Sequence, residues 1–192
     1  MQVLKFGGTS VANSENINKV IAIVKETVKK QQTIVVVSAL GGVTDLLLGA
    51  AKFAADGNES YKDKLAIVEQ RHLDAVKQLI PVATQSHLLS LVKKSCNEIE
   101  DICNGIFLLK ELTSRSMDRV ASYGEWLSSQ IIAARFNSEN IAAQWKDAKE
   151  LILTNSVFTS AEVDFDVTNK KIAEFFSASP VELFVIPGFI AA

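Results

Sequence analysis

An α/β protein, three-layered, with an open, mainly parallel sheet and helices on both faces, is the fold class this sequence predicts. Three observations predict it. The run Ile34-Val35-Val36-Val37 is continuous and β-branched, as in a strand buried on both faces. A strand pattern at Gln2 to Phe6 and a stretch of apolar residues at helical spacing precede it, so the order is strand, helix, strand. Paired glycines, Gly7-Gly8 and Gly41-Gly42, follow both strand patterns and mark tight turns. Such a βαβ unit crosses over with right-handed sense.

The elements follow in order. Gln2 to Phe6 is the first strand. Ser14 reads as the N-cap of a helix whose Ile17, Val20, Ile21, Val24 and Val28 share one face, and Lys29-Lys30 suit its negative end. Thr33 to Ser38 is the second strand. A helix runs from Thr44 to about Ala55 and stops at Asp56-Gly57-Asn58. Tyr61, Leu65, Val68, His72, Ala75, Val76 and Leu79 make one helical stripe, which Pro81 ends. Leu88, Leu91, Val92, Ile99, Ile102, Cys103 and Ile106 make another, and a third helix spans about Arg115 to Phe136. Strand patterns return at Ala142 to Trp145 and at Leu151 to Thr154. Thr168 is the expected cap of a short helix carrying Ile172, Phe175 and Phe176. Val181 to Ile186 is the last strand, closed by Pro187-Gly188. The expectation is one unit, 1–192, with a helical insertion at about 58–136.

Composition narrows the function. Of 192 residues, 48% are hydrophobic and 22% charged, enough apolar material for a core. Net charge is −2, with no basic run, so a nucleic-acid partner is not expected. No apolar run reaches the roughly 18 residues a membrane span needs. Met1 to Lys5 opens no apolar signal segment, so a cytoplasmic protein is expected. Cys96 and Cys103 lack the spacing of a disulfide framework or thiolate metal site and belong on the buried face of a helix. His72 and His87 have no second ligand at useful spacing, and no metal-binding residue is assigned.

Three stretches carry chemistry. The first is Lys5-Phe6-Gly7-Gly8-Thr9-Ser10. Ligands of open α/β sheets bind beyond the carboxyl ends of strands, glycine lets an anion reach the backbone, and successive N–H groups form an anion nest. Lys5 adds a compact positive charge. Two readings stand here: a phosphate seat, or a tight turn with Lys5 solvated. The second is Ser38-Ala39-Leu40-Gly41-Gly42-Val43-Thr44-Asp45, where Ser38 and Thr44 offer neutral donors to a small carboxylate, or Thr44 simply caps the next helix. The third surrounds Glu125, in a helix with largely apolar neighbours. A carboxylate there is paired, for example with Arg119, or else exposed at a cleft where it grips a substrate ammonium. Gly124 beside it marks close approach of a ligand or another backbone. Glu162, Asp164 and Asp166 alternate with apolar residues and read as a loop or strand edge.

Lys5-Phe6-Gly7-Gly8-Thr9-Ser10 at the start of the chain resembles the signature of aspartate kinases, within the wider amino-acid kinase family. Val36 to Asp45, Ser122-Tyr123-Gly124-Glu125 with Leu127-Ser128-Ser129, Asp147-Ala148 before Leu151 to Thr154, and Pro187 to Ala192 resemble its further motifs, in order, along the whole chain. Met1 to Lys5 and Gly105 to Leu109 are most similar to the kinase part of bifunctional aspartokinase–homoserine dehydrogenases. The resemblance implies transfer of the ATP γ-phosphoryl group to the side-chain carboxylate of L-aspartate, opening the route to lysine, threonine and methionine. It implies that Lys5 is the catalytic lysine on the phosphoryl oxygens, and that Gly7, Gly8, Thr9 and Ser10 line the ATP phosphate site. It implies that Ser38 and Thr44 hold aspartate, that Glu125 holds its ammonium group, and that Mg²⁺ bridges the phosphates. It also implies a homo-oligomer in the intact protein.

The family continues past the Pro-Gly-Phe segment to a Gly-Arg-containing motif, a nucleotide-binding half and regulatory domains. None of these is in the 192 residues. A fragment holding the substrate half, inactive or nearly so alone, is therefore expected. The alternatives are a related amino-acid kinase with another acceptor, and a non-catalytic binding or assembly domain of the same fold.

Overall fold

The computed structural model describes all 192 residues, Met1–Ala192. Four strands form one sheet: β1 (Gln2–Phe6), β2 (Thr33–Val37), β3 (Ala143–Trp145) and β4 (Leu183–Pro187), in the spatial order β1-β2-β4-β3. Every pairing is parallel. Phe6 stands opposite Val37, and Val37 opposite Pro187, so β1, β2 and β4 end level along one edge. That edge is where an open parallel sheet offers a ligand site.

Six helices accompany the sheet: α1 (Ser14–Val28), α2 (Val43–Ala55), α3 (Tyr61–Leu79), α4 (Ser86–Leu109), α5 (Ser114–Ser138) and α6 (Phe165–Ala178). Successive residues of β2 and β4 face opposite layers, as the strand period requires. Val35, Val37, Leu183 and Val185 join a core of 36 buried residues built with α1 to α5. Ile34, Phe184 and Ile186 join a second core of 7, which includes Phe176 of α6. Phe175, Phe176 and Phe184 meet edge to face there, with ring centroids 5.0 to 5.5 Å apart. The three-layer α/β expectation holds. Leu47 and Ile131 are wholly buried in the larger core; truncating either to alanine costs about 2–5 kcal/mol.

Four local expectations are corrected. Asn13, not Ser14, caps α1: its backbone is extended and its side chain accepts the Asn16 N–H at 2.9 Å. Thr44 does not cap α2, because the helix starts one residue earlier and Gly42 occupies the cap position. Leu151 to Thr154 is not a sheet strand. Ala148–Glu150 forms a 3-10 turn, Leu151 and Ile152 pack into the smaller core, and Thr154 makes a single antiparallel bridge with Val163. The polar backbone there bonds outside the sheet instead, with residue 192: Ala192 N–H donates to the Ile152 carbonyl at 3.0 Å. Asp164, not Thr168, caps α6, accepting the Val167 N–H at 3.0 Å. Thr168 lies one turn further in, buried, and its hydroxyl accepts the Leu153 N–H.

Cys96 and Cys103 are both buried on α4. Burial pushes the Cys96 thiol up to about 12 and that of Cys103 to about 11, so neither is an available thiolate. No helix is long and apolar enough to cross a membrane.

Candidate active site

The first glycine turn leaves β1 at Phe6. The Gly7 carbonyl accepts the N–H groups of Ser10 and Val11, at 2.9 and 3.3 Å, which bends the chain back on itself. The N–H groups of Gly7, Gly8 and Thr9 donate to no group of the chain. Three successive free donors at the end of a parallel strand form the kind of concavity that receives an anion. Nothing stands within 4 Å of where a Gly7 side chain would begin, so this turn is open. Gly8 faces the second turn, its Cβ position lying 3.7 Å from the Ala39 carbonyl oxygen and 4.0 Å from Ser38 Oγ. Lys5, opposite Val36 on the layer of the smaller core, is exposed and takes part in none of the ion pairs.

The second turn is built differently. Ser38 N–H donates to the Phe6 carbonyl at 3.1 Å, which carries the ladder one step past β2. At Gly41 a Cβ would stand 2.8 Å from Ala12 Cβ, so the two turns can touch only because this residue is glycine. Gly42 has φ +74°, a conformation that penalises any side chain. No side chain caps α2 behind it, and the N–H groups of Gly42, Thr44 and Asp45 find no acceptor in the chain. An uncapped helix start of this kind is completed by water or by a ligand.

α5 closes the site. A Cβ on Gly124 would be 2.9 Å from Ala39 Cβ and 3.5 Å from Leu47 and Val43, so only glycine lets this helix lie on the second turn. One helical turn on, Ser128 Oγ donates to the Ser38 carbonyl at 2.6 Å and locks the two together. This close approach delivers Glu125 into the protein, 4% exposed. Its carboxylate has no cation beside it: no ion pair of the chain includes it. Burial raises its pKa above the ordinary carboxylate value, while Ala39 N–H and the Ser38 hydroxyl pull the other way without overcoming it.

The pairing of Glu125 with Arg119 does not occur. Residues six apart lie on different sides of a helix. Arg119 donates instead to the Tyr123 hydroxyl, four residues on, which donates to Glu98 at 2.8 Å. The geometry therefore gathers Gly8, Ser38, Thr44 and Glu125 around one edge of the sheet, with Lys5, Thr9 and Ser10 at its β1 side. His72 is wholly buried and His87 exposed; neither belongs to this group. Sequence reasoning missed the Ser128 latch. The signal was the four-residue spacing of two small residues, Gly124 and Ser128, which lets a helix approach another backbone closely.

Comparison with known proteins places the chain in a family. The sequence profile of the amino acid kinase family matches residues 1–192. The chain is 28% identical over 191 residues, 99% of its length, to bifunctional aspartokinase/homoserine dehydrogenase 1, chloroplastic, of Arabidopsis thaliana, of which it covers 21%. It is 34% identical over 165 residues, 84% of its length, to aspartokinase 1, chloroplastic, of the same plant, of which it covers 28%. The crystal structure of E. coli aspartokinase III in complex with lysine and aspartate superposes with a TM-score of 0.88 at 25% identity, over 99% of this chain and 41% of that one. The chain thus spans only about a fifth to two fifths of the length of these relatives.

Proposed function

The chain belongs to the amino acid kinase family, and from that premise we propose that it is the substrate-side portion of an aspartate kinase. The intact enzyme would move the γ-phosphoryl group of ATP to the side-chain carboxylate of L-aspartate, giving 4-phospho-L-aspartate and ADP. One observation carries the reading: a buried carboxylate, Glu125, has no cation of its own and stands beside an uncapped helix start. Aspartate offers the complement to both, an ammonium group for Glu125 and an α-carboxylate for free N–H donors.

Glu125 accepts the substrate ammonium. Thr44, Ser38 and the free N–H groups at the start of α2 hold the α-carboxylate, which leaves the side-chain carboxylate turned toward the first turn. There Lys5 and the N–H groups of Gly7 and Gly8 hold the phosphoryl oxygens, with Thr9 and Ser10 lining the turn. A carboxylate oxygen attacks the γ-phosphorus as the bond to the β-phosphate bridging oxygen breaks. The protein's part is position and neutralised charge, which is most of what phosphoryl transfer needs. Mg²⁺ enters as part of the MgATP substrate, held by its phosphates, and supplies the remaining positive charge.

In the same reading, residues 1–192 are the amino-terminal part of the kinase domain, with a helical insertion at about 58–136. The nucleotide half and regulatory domains belong to the rest of a longer protein, cytoplasmic and homo-oligomeric, that serves lysine, threonine and methionine synthesis. The similarity to bifunctional relatives supports a homoserine dehydrogenase partner domain.

The test is ATP- and Mg²⁺-dependent acyl phosphate formation by the intact protein, trapped with hydroxylamine. Aspartyl hydroxamate is expected. Preference for a different acceptor would make it another amino-acid kinase, and aspartate binding without turnover would make it a binding domain. The 192-residue chain alone is expected to give no hydroxamate.

A further inference from the structure

Arg71 lies on α3, in the helical region between β2 and β3, yet it reaches the second glycine turn. Its Nη1 donates to the Gly41 carbonyl oxygen at 2.5 Å. This charge-assisted bond is the guanidinium's one hydrogen bond within the chain, and it takes part in no ion pair. Of the carboxylates that flank it on the helix, Glu69 pairs with Lys93 and Asp74 accepts from Gln70 Nε2 at 2.7 Å. Arg71 also borders a hollow of about 360 Å³ between α1 and α3, with Ala12, Asn13 and Leu40 on its other walls. An exposed arginine that ignores a nearby acid to bind a backbone carbonyl is doing something to that backbone.

The effect follows from peptide geometry. The chain has no cis peptide bonds. In the trans Gly41–Gly42 peptide, the carbonyl and the N–H therefore point to opposite sides. Holding the Gly41 oxygen toward α3 turns the Gly42 N–H away from α3. That N–H is one of the donors left free at the start of α2. A peptide between two glycines has no Cβ on either side to resist rotation, so it needs an outside hold. Ala12 restrains Gly41 from one side, and Arg71 grips the oxygen from the other.

We propose that Arg71 is a positioning residue for the acceptor: it keeps the Gly41–Gly42 peptide in the orientation that offers the Gly42 N–H, with those of Thr44 and Asp45, to the substrate α-carboxylate. This rests on the aspartate reading of the site. It makes α3 part of the substrate seat, so a displacement of that helix reaches substrate affinity through a single hydrogen bond.

Two variants test it. Arg71→Met keeps the apolar stem and removes the donor; Arg71→Lys keeps the charge and loses the planar fork. In the intact enzyme, Arg71→Met is expected to raise the KM for aspartate about tenfold, with kcat within about twofold and the KM for ATP unchanged, and Arg71→Lys to fall between. In the 192-residue chain, amide exchange at Val43 and Leu46, whose N–H groups bond to the Leu40 and Gly42 carbonyls, is expected to quicken about tenfold in Arg71→Met, with the interior amides of α3 unchanged. Wild-type exchange at both amides would overturn the clamp. Faster exchange with an unchanged aspartate KM would overturn its link to substrate. If the wild-type enzyme does not phosphorylate aspartate, the substrate reading fails, and the exchange result still decides the clamp.

Discussion

The two glycine turns end neighbouring strands at the same level of one sheet, yet they are built to opposite specifications. Around Gly7 nothing stands within 4 Å of a would-be side chain, and three N–H groups in a row are free. The turn at Gly41-Gly42 is held from three directions, by Ala12, by Arg71 and by α5 through Gly124 and Ser128. An open turn can move with a group that changes bonding during the reaction. A turn held on three sides fixes a small molecule before the reaction starts. In the proposed enzyme this is the division between the phosphoryl end and the acceptor end, and it lets the two be broken separately.

The largest break is at the open side. Lys5→Ala in the intact enzyme is expected to lower kcat by about 10²–10³, with the aspartate KM and the melting temperature unchanged, because Lys5 is exposed and unpaired. An unchanged kcat removes Lys5 from the chemistry.

Acid tests next the helix that grips the held turn. Burial drops His72 from 6.5 to about 4, its Nδ1 sits 2.7 Å from the Val68 carbonyl oxygen, and its Nε2 has no partner. The folded protein therefore prefers the neutral ring, while the unfolded chain takes up a proton below pH 6.5. The stability this supplies is complete above about pH 6.5 and is lost as pH falls toward 4, by about 3 kcal/mol in all. His72 neighbours Arg71 on α3, the helix that grips the held turn, and the loss is one of global stability. His72→Leu should flatten the dependence, read by denaturant unfolding at pH 4 and pH 7.

A smaller effect tests the packing. Gly124→Ala forces a methyl to 2.9 Å from Ala39 and should cost about 1–3 kcal/mol. Gly7→Ala meets nothing and should stay within about 0.5 kcal/mol of wild type. Equal losses from the two substitutions would erase the distinction between the turns.

How legible all this was in the sequence divides along the same line. Strand ends, glycine turns and a lone glutamate in an apolar helix are local patterns, and they were readable at Gln2 to Gly8, Ile34 to Gly42 and Glu125. Caps slipped where two competent residues stand together, as at Asn13 and Ser14. The apolar run Leu151 to Thr154 resembles a strand because a short run has no period of its own; only tertiary packing assigns it to the smaller core. Arg71 had no local signal at all. Its partner is a carbonyl 30 residues away, and no spacing rule on one helix points there.

The central claim is that Glu125 receives a substrate ammonium, and the most direct measurement compares L-aspartate with succinate, which has both carboxylates and no amino group. Their affinities for the intact protein and for Glu125→Gln would be taken by calorimetric titration at pH 7.5. The wild type should prefer aspartate by at least about a hundredfold, as expected when a buried charge loses its only partner, and Glu125→Gln should bind the two alike. A Glu125→Gln protein that still prefers aspartate by the wild-type margin would contradict the account.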